Sequence, residues 1–194
     1  MVNQNLHIDE PQATLSMHPK KFALWLFIVS IVMLFAALTS AYIVKQADGN
    51  WLSFELPPIF AINTIIIAFS SLTLHLAYLT AKKDAVNKIK WWLLLTVVLG
   101  LLFLVGQYIS WSELVKSNVY FVSNYPSGSF IYIFTGLHGV HLVSGIIFLL
   151  ITFRSSVLAK IHSKNLVQIE MCMTYWHFLG GLWLYLYLFL LFNL

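Results

Sequence analysis

Five long apolar stretches that contain no Asp, Glu, Lys or Arg constrain the fold of this chain more than any other feature. Each is long enough to cross the hydrocarbon core of a bilayer, which is about 30 Å thick and needs roughly 20 helical residues. The pattern predicts an all-α, polytopic membrane protein, a bundle of five transmembrane helices. The predicted spans are residues 22–44, 56–81, 91–112, 129–153 and 171–194.

The composition agrees with a membrane protein and excludes several other classes. The chain is 60% hydrophobic and 9% charged, whereas soluble domains carry about 25% charged residues. The net charge of +4 comes from lysines gathered in the loops, and no basic stripe indicates nucleic-acid binding. Cys172 is the only cysteine, which excludes an internal disulfide and the cysteine-rich metal and Fe–S motifs.

Residues 1–18 are expected to form a polar cytoplasmic tail in front of one membrane domain, residues 19–194. Residues 1–17 contain Asp9 and Glu10 but no Lys or Arg, so the tail lacks the basic flank of a cleavable signal peptide. Nine Lys and Arg residues fall on the side of the tail and of the second and fourth loops, against Lys45 and Lys116 on the other side. The positive-inside rule therefore predicts a cytoplasmic N-terminus and a C-terminus outside.

The fourth span carries two histidines and three glycines in a charge-free run. A helical rotation of about 100° per residue puts His138, His141 and Gly145 within roughly 60° of one another. Gly136 and Gly139 fall on nearly the opposite side. Small residues at helix interfaces allow close approach, so two such faces predict that this helix is interior to the bundle.

The third and fifth spans also present polar residues in register. Glu170 and His177 share one face of the fifth span, and Glu170 lies at its cytoplasmic mouth, where a histidine or a lipid headgroup could pair with it. Gln107 shares a stripe of the third span with Gly100 and Phe103. These residues predict polar contacts between helices at membrane depth.

Histidines at membrane depth are compatible with haem or metal ligation, but their placement argues against it. His138 and His141 are predicted near mid-membrane, whereas His75 and His177 are predicted near the cytoplasmic edge. His138 and His141 are too close along one helix to clamp a single porphyrin, and no carboxylate or thiol accompanies them as copper or zinc would require. The sequence favours histidines that donate hydrogen bonds to neighbouring helices or lipids, with a redox centre as the alternative.

Two motifs resemble those of a known family. Residues 135–141 read Thr-Gly-Leu-His-Gly-Val-His and are followed by Gly145, and the last span reads Glu170, then Tyr-Trp-His-Phe at 175–178, then Trp183. This pattern resembles subunit III of the haem-copper oxidases, the cytochrome c and quinol oxidases. Weaker matches at Asn63-Thr64, at Gly100, Phe103 and Gln107, and around Trp25 extend the resemblance from about residue 19 to the C-terminus.

The chain also departs from the family pattern. Family members commonly have seven helices, and the five here resemble a shorter form that lacks the first two. A buried family glutamate is replaced by Ile31, a family aspartate by Gly180 and a further glutamate by Ser110. These replacements argue against a proton-antenna role that relies on those carboxylates.

The resemblance implies a subunit of a proton-pumping oxidase in a bacterial cytoplasmic membrane, with cytochrome c oxidase preferred to quinol oxidase. Such a subunit has no catalytic centre, metal or cofactor of its own. It docks on subunit I, which carries haem and copper, in a complex with subunit II and sometimes in a respiratory supercomplex. It binds phospholipid, stabilises the catalytic subunit and supports proton uptake. The residues expected to bind lipid or pack against subunits are Asn63, Gln107, His138, His141, Arg154, Glu170, Trp176 and His177.

Two other hypotheses remain open on the sequence alone. The same histidines could belong to a di-haem b-type membrane anchor of a quinone-linked dehydrogenase. A small transporter with its substrate site at the His138 face is the second, although the chain lacks the repeat symmetry and the broken helices that transporters often show.

Overall fold

The computed structural model describes residues 18–49, 51–52, 54–122, 125–158, 161 and 165–194. The predicted tail up to residue 17 and two lysines of the predicted cytoplasmic loops, Lys160 and Lys164, lie outside the described residues. Within them the chain forms five α-helices, each long and apolar enough to cross a membrane. They are α1 (Pro19–Ala47), α2 (Ile59–Lys82), α3 (Val86–Lys116), α4 (Pro126–Val157) and α5 (Val167–Asn193).

The helix boundaries follow local backbone chemistry. Pro19 and Pro126 each lie in the first turn of a helix, where a missing N–H costs no hydrogen bond. The His18 side chain caps α1 by accepting a hydrogen bond from the Lys20 amide at 3.3 Å. The predicted second span, residues 56–81, would place Pro57 inside the helix. This part of the prediction is wrong, because α2 begins at Ile59 with Pro58 as its N-cap.

Every helix except α2 begins before its predicted span, and α1 to α4 also end beyond theirs. Charged residues near the helix ends, such as Lys45 and Lys116, continue the helical hydrogen bonding outside the apolar stretch. An apolar run marks the hydrocarbon depth, whereas a helix stops where its backbone turns.

Two residues that follow helices adopt positive φ angles. Asp84, in the turn between α2 and α3, has a φ of 52°, and Asn118, just after α3, has a φ of 60°. Asn and Asp tolerate this left-handed region best among residues with a side chain.

Four of the helices form a ring. α2 packs against α3, α3 against α4, α4 against α5, and α5 closes back onto α2. α1 lies outside the ring in the seam between α4 and α5, and no Cα pair of α1 and α2 comes within 8 Å in the described residues. Only 22% of the residues in the most apolar 18-residue stretch of α1 are buried, against 33–39% in the corresponding stretches of the other helices.

The ring closes tightly because glycines make room for a tryptophan. Trp176 on α5 is almost fully buried and lies between Gly100 on α3 and Gly145 on α4. A Cβ atom at Gly100 would lie 2.8 Å from the indole, and one at Gly145 would lie 2.9 Å from Leu179. Small residues of this kind let membrane helices approach closely where no hydrophobic effect drives them together.

The predicted interior position of the fourth span is wrong in part. α4 has neighbours on its His138 side, but a Cβ at Gly139 would meet nothing within 4 Å, and one at Gly136 would meet only Trp111 at 4.0 Å. Val140 on the same side is 66% exposed. Small residues permit a close neighbour without requiring one in the same chain, so the glycine face points outward among the described residues.

Candidate functional site within the helix bundle

Three uncharged polar side chains from three different helices are buried inside the ring. Asn63 on α2 and His138 on α4 are fully buried, and Gln107 on α3 is 3% exposed. The His138 ring lies 5.1 Å from the Trp183 ring and 5.9 Å from the Phe103 ring, measured between centroids. None of the six side-chain nitrogen and oxygen atoms of these three residues has a hydrogen-bond partner among the described residues.

These three residues lie at a similar level of the bundle. Gln107 is one helical turn after Phe103, which contacts His138, and one turn before Trp111, whose indole N–H donates to the Thr135 hydroxyl at 2.9 Å. Gln107 therefore faces the turn of α4 between residues 135 and 138. Its neighbour Gly106 lies against the Asn63 amide, which a Cβ at position 106 would overlap.

Indole–hydroxyl hydrogen bonds join the ring helices. Trp176 Nε1 donates to Ser70 Oγ at 3.0 Å, and Trp183 Nε1 donates to Thr64 Oγ1 at 3.0 Å. The hydroxyl groups of Ser70 and Thr64 in turn donate to backbone carbonyls of α2. α5 is thus bonded to α2 at two points about two turns apart. A buried indole needs such an acceptor, and each interhelical bond in a membrane is worth about 0.6 kcal/mol on average.

His141 has different neighbours from His138, although the sequence places the two on one face. His141 is half-buried, its Nδ1 is 2.7 Å from the Leu137 carbonyl oxygen, and its ring lies 6.4 Å from Phe27 and 5.9 Å from Phe35 on α1. Ile31, one turn from each of those phenylalanines, is buried. Position 31, where the resembling family has a glutamate, thus lies on the α1 face that packs against His141.

Glu170 links three helices at the end of the bundle where α1 and α5 begin, which we call the lysine-rich end after Lys20, Lys21, Lys82, Lys83, Lys88 and Lys90. Its Oε2 accepts a hydrogen bond from Lys21 Nζ at 2.8 Å, and its Oε1 accepts one from the Tyr78 hydroxyl at 3.2 Å. The ammonium group of Lys82 lies 4.6 Å from the centre of the Tyr78 ring. The histidine that the sequence suggested as one partner of Glu170 is not the partner found, since the carboxylate pairs with Lys21 on α1.

An open cavity of about 460 Å³ lies at the opposite end of the bundle. It is lined by residues 54–56 and by Leu191 and Leu194.

The remaining predicted residues lie apart from the ring interior. His177 on α5 faces His75 on α2 with 6.2 Å between ring centroids, nearer the lysine-rich end. Arg154 is exposed in the last turn of α4, where a cation is favoured by the helix dipole. Across the described residues, no three His, Cys, Asp or Glu side chains are grouped closely enough to hold a metal ion.

The sequence reasoning missed Ser70 and the hydroxyl of Thr64 as partners of the two tryptophans. A signal for them was present, because a Ser or Thr hydroxyl in a membrane helix can donate a hydrogen bond to its own backbone and still accept one from a neighbouring side chain. The sequence motif shows which residues are polar, but only the packing of α5 on α2 shows which of them meet.

Five long apolar helices with polar side chains buried between them define a multi-pass membrane protein. A family model described as cytochrome c oxidase subunit III matches residues 12–193. The chain belongs to this family, subunit III of the haem-copper terminal oxidases. It is therefore a subunit of a respiratory oxidase complex of either the cytochrome c or the quinol type. This membership replaces the hypotheses of a di-haem anchor and of a small transporter.

Individual relatives come from both types of oxidase. The chain is 30% identical to the probable cytochrome c oxidase subunit 3 of Nocardia farcinica, over 84% of this chain and 82% of the relative. It is 27% identical to cytochrome c oxidase subunit 3 of Thermostichus vulcanus, over 88% and 86%. It is 28% identical to the cytochrome bo(3) ubiquinol oxidase subunit 3 of Buchnera aphidicola, over 90% and 94%.

Proposed function

We propose that this chain is the non-redox subunit III of a proton-pumping oxidase that reduces O2 to water, and that it stabilises the catalytic subunit. The observation that carries the proposal is the use of the buried polar side chains. Trp176 and Trp183 bond to hydroxyls of α2, and His138 fills the space between Phe103 and Trp183. These groups join helices to one another, as a structural subunit requires.

We infer that the complex takes electrons from cytochrome c, because two of the relatives described above are subunits of cytochrome c oxidases. Haem and copper would then reside on subunit I and its partners. The chain would contribute a membrane face for docking on subunit I and a surface for structural phospholipid. Arg154, exposed at the end of α4, and His177, beside His75, are the residues proposed to contact lipid or partner subunits.

We propose that support for proton uptake depends on the lysine-rich end rather than on carboxylates in the middle of the helices. Ile31, Gly180 and Ser110 occupy the positions of three family carboxylates. Glu170, bonded to Lys21 and Tyr78, is a carboxylate that this chain does present at that end. The role in stability is therefore the better supported of the two.

The orientation proposed for the chain puts the lysine-rich end in the cytoplasm of a bacterium, following the positive-inside rule. Reporter fusions should give cytoplasmic signals from the loop around Lys83 and external signals after Leu194. Cytoplasmic signals at both positions would contradict the number of spans, and an external loop with a cytoplasmic Leu194 would contradict the orientation.

Extraction of the complex tests the function directly. The full chain should be tagged in its native membrane, purified in mild detergent and analysed by mass spectrometry together with a visible spectrum. We expect haem-copper subunit I and subunit II to co-purify, with cytochrome c oxidation by the complex. Selective removal of this subunit should leave the haem spectrum unchanged while activity decays sooner during turnover. Loss of haem absorbance in proportion to this chain would contradict the non-redox role.

A further inference from the structure

The internal cluster formed by Asn63, Gln107 and His138 differs from the other polar groups around it. Two polar groups beside it have partners: Trp111 donates to the Thr135 hydroxyl at 2.9 Å, and the Ser110 hydroxyl donates to the Gly106 carbonyl at 2.9 Å. The two amides and the imidazole do not, although all three side chains are more than nine-tenths buried. Buried polar atoms in proteins are almost always hydrogen-bonded to protein or to ordered water.

The environment makes unpaired atoms in this place especially unfavourable. The cluster lies between membrane-spanning helices, where bulk water does not reach the backbone or the side chains. An amide presents two donor hydrogens and an acceptor oxygen, and a neutral imidazole presents one donor and one acceptor. Burying amides and imidazoles in an apolar bundle therefore costs free energy unless their polar atoms form hydrogen bonds.

The positions of the three residues suit bridging partners better than direct contacts. They project from α2, α3 and α4, and none of them is hydrogen-bonded to another. The Asn63 amide is held against the backbone of Gly106, while His138 is held between Phe103 and Trp183. A buried water molecule forms about three hydrogen bonds to groups that otherwise have no partner, and so it can join side chains from three helices at once.

We propose that Asn63, Gln107 and His138 form a binding site for a small group of internal water molecules between α2, α3 and α4. The water completes the hydrogen bonding of both amides and of the imidazole, and it joins the three helices near the middle of the bundle. Gly106 is required because its hydrogen atom leaves the Asn63 amide in place. The site lies within this chain, so it does not depend on the electron donor of the oxidase or on the partner subunits.

The direct test is a structure of the full chain, in its native complex and in lipid nanodiscs, at about 2 Å resolution or better, where ordered water is visible. We expect density for at least one water molecule within roughly 2.6–3.2 Å of polar atoms from two of the three residues. Side chains bonded directly to each other, or a lipid or ion in place of water, would overturn the proposal. The result does not depend on oxidase activity, so it is separate from the test of function.

A pair of glycine variants tests the same site in solution. Gly106→Ala should displace the Asn63 amide, remove the water density and lower the melting temperature by roughly 3–10 °C, the range expected for loss of a few hydrogen bonds in a chain of this size. Gly139→Ala is the matched control on α4, because its Cβ meets nothing within 4 Å. It should keep the water density, and it should not lower the melting temperature, since alanine is the better helix former. Equal melting temperatures for Gly106→Ala and the parent protein, with the water density retained, would contradict the proposed site.

Discussion

The ring of α2 to α5 and the outer helix α1 are attached to the molecule in different ways. The ring is closed along its length by buried indole–hydroxyl bonds and by a tryptophan packed against glycines. α1 is held by polar contacts near its two ends and by aromatic packing between them. Lys21 pairs with Glu170 at one end, and Tyr42 and Gln46 donate to the Asn193 carbonyl at the other, at 3.0 and 2.8 Å.

This difference teaches that burial, rather than the number of polar contacts, separates the strongly held part of the subunit from the more weakly held part. The hydrogen bonds of the ring are shielded, so the loss of one also leaves a buried group unpaired. The Lys21–Glu170 pair is 38% and 30% exposed at its two side chains, and solvent weakens such pairs. Substitutions in the ring should therefore cost more than substitutions along α1.

The largest effect is expected for Trp176→Ala. The change opens a cavity beside Gly100 and Gly145, and it leaves the Ser70 hydroxyl without its indole donor. Large-to-small changes at buried tryptophan cost about 3–5 kcal/mol, which should lower the melting temperature of the purified chain in nanodiscs by roughly 10 °C. Trp91→Ala is the control, because Trp91 is 73% exposed on α3. Equal losses in the two variants would show that the ring is not the stable part of the subunit.

The next effect separates the two histidines of α4. His138→Leu removes a buried imidazole from the ring of helices and takes one hydrogen-bonding group away from the proposed internal water, at about 1–3 kcal/mol. His141→Leu removes a contact with a carbonyl of its own helix in the seam with α1, and we expect about 0.6 kcal/mol. The measurement is the fraction of this subunit that stays with the complex in detergent, with oxygen consumption followed over time.

Initial turnover should stay near normal in both histidine variants and in the double variant, while activity decays sooner, most of all in the double variant. An intact complex with no initial turnover and an altered haem spectrum would instead mean that these histidines act directly in the redox chemistry. A larger loss for His141→Leu than for His138→Leu would reverse the comparison between ring and outer helix.

A smaller effect is expected for Lys21→Met, which removes one polar contact between α1 and α5. Exposed ion pairs contribute about 0–1 kcal/mol, so stability should hardly change. The distance distribution between spin labels at Phe22 on α1 and at Lys82 on α2 should broaden, and added salt should broaden it in the parent protein. Lys20→Met changes a neighbouring exposed lysine and should leave the distribution narrow.

No effect is expected when the parent protein is treated with a hydrophobic carbodiimide and α1 is analysed for label. The helix contains no carboxylate, and the position at which the resemblance predicts a glutamate is Ile31. Ile31→Glu would place a carboxyl group on the face that packs against His141, between Phe27 and Phe35, and α1 should then be labelled. Label on α1 of the parent protein would contradict this prediction, because the reagent modifies carboxyl groups and α1 has none.

The number and type of the helices could be predicted from the sequence because each apolar run is a local signal. The five runs have the length that a bilayer requires, and each forms one helix. The helix ends could not be predicted as well, because α3 continues through Lys88 and Lys90 at its start and to Lys116 at its end. Hydropathy falls at the membrane surface, while the backbone hydrogen bonds continue into water.

The candidate site could be predicted as a set of residues but not as an arrangement. The motifs indicated His138, Gln107 and Asn63, and the structure brings these three together in the ring. They did not indicate that His141 faces α1 or that Trp176 bonds to Ser70. Which helix lies beside which depends on side-chain packing between distant parts of the chain, and a pattern read along one helix does not contain it.

The position of α1 has a consequence for biosynthesis. α1 is made before α2 to α5, yet its partners are α4 and α5, and no Cα pair of α1 and α2 lies within 8 Å in the described residues. Chains emerge N-terminal end first, at about 5–20 residues per second. Several seconds therefore separate the synthesis of α1 from that of α5, which contacts it through Glu170, Tyr175 and the Asn193 carbonyl.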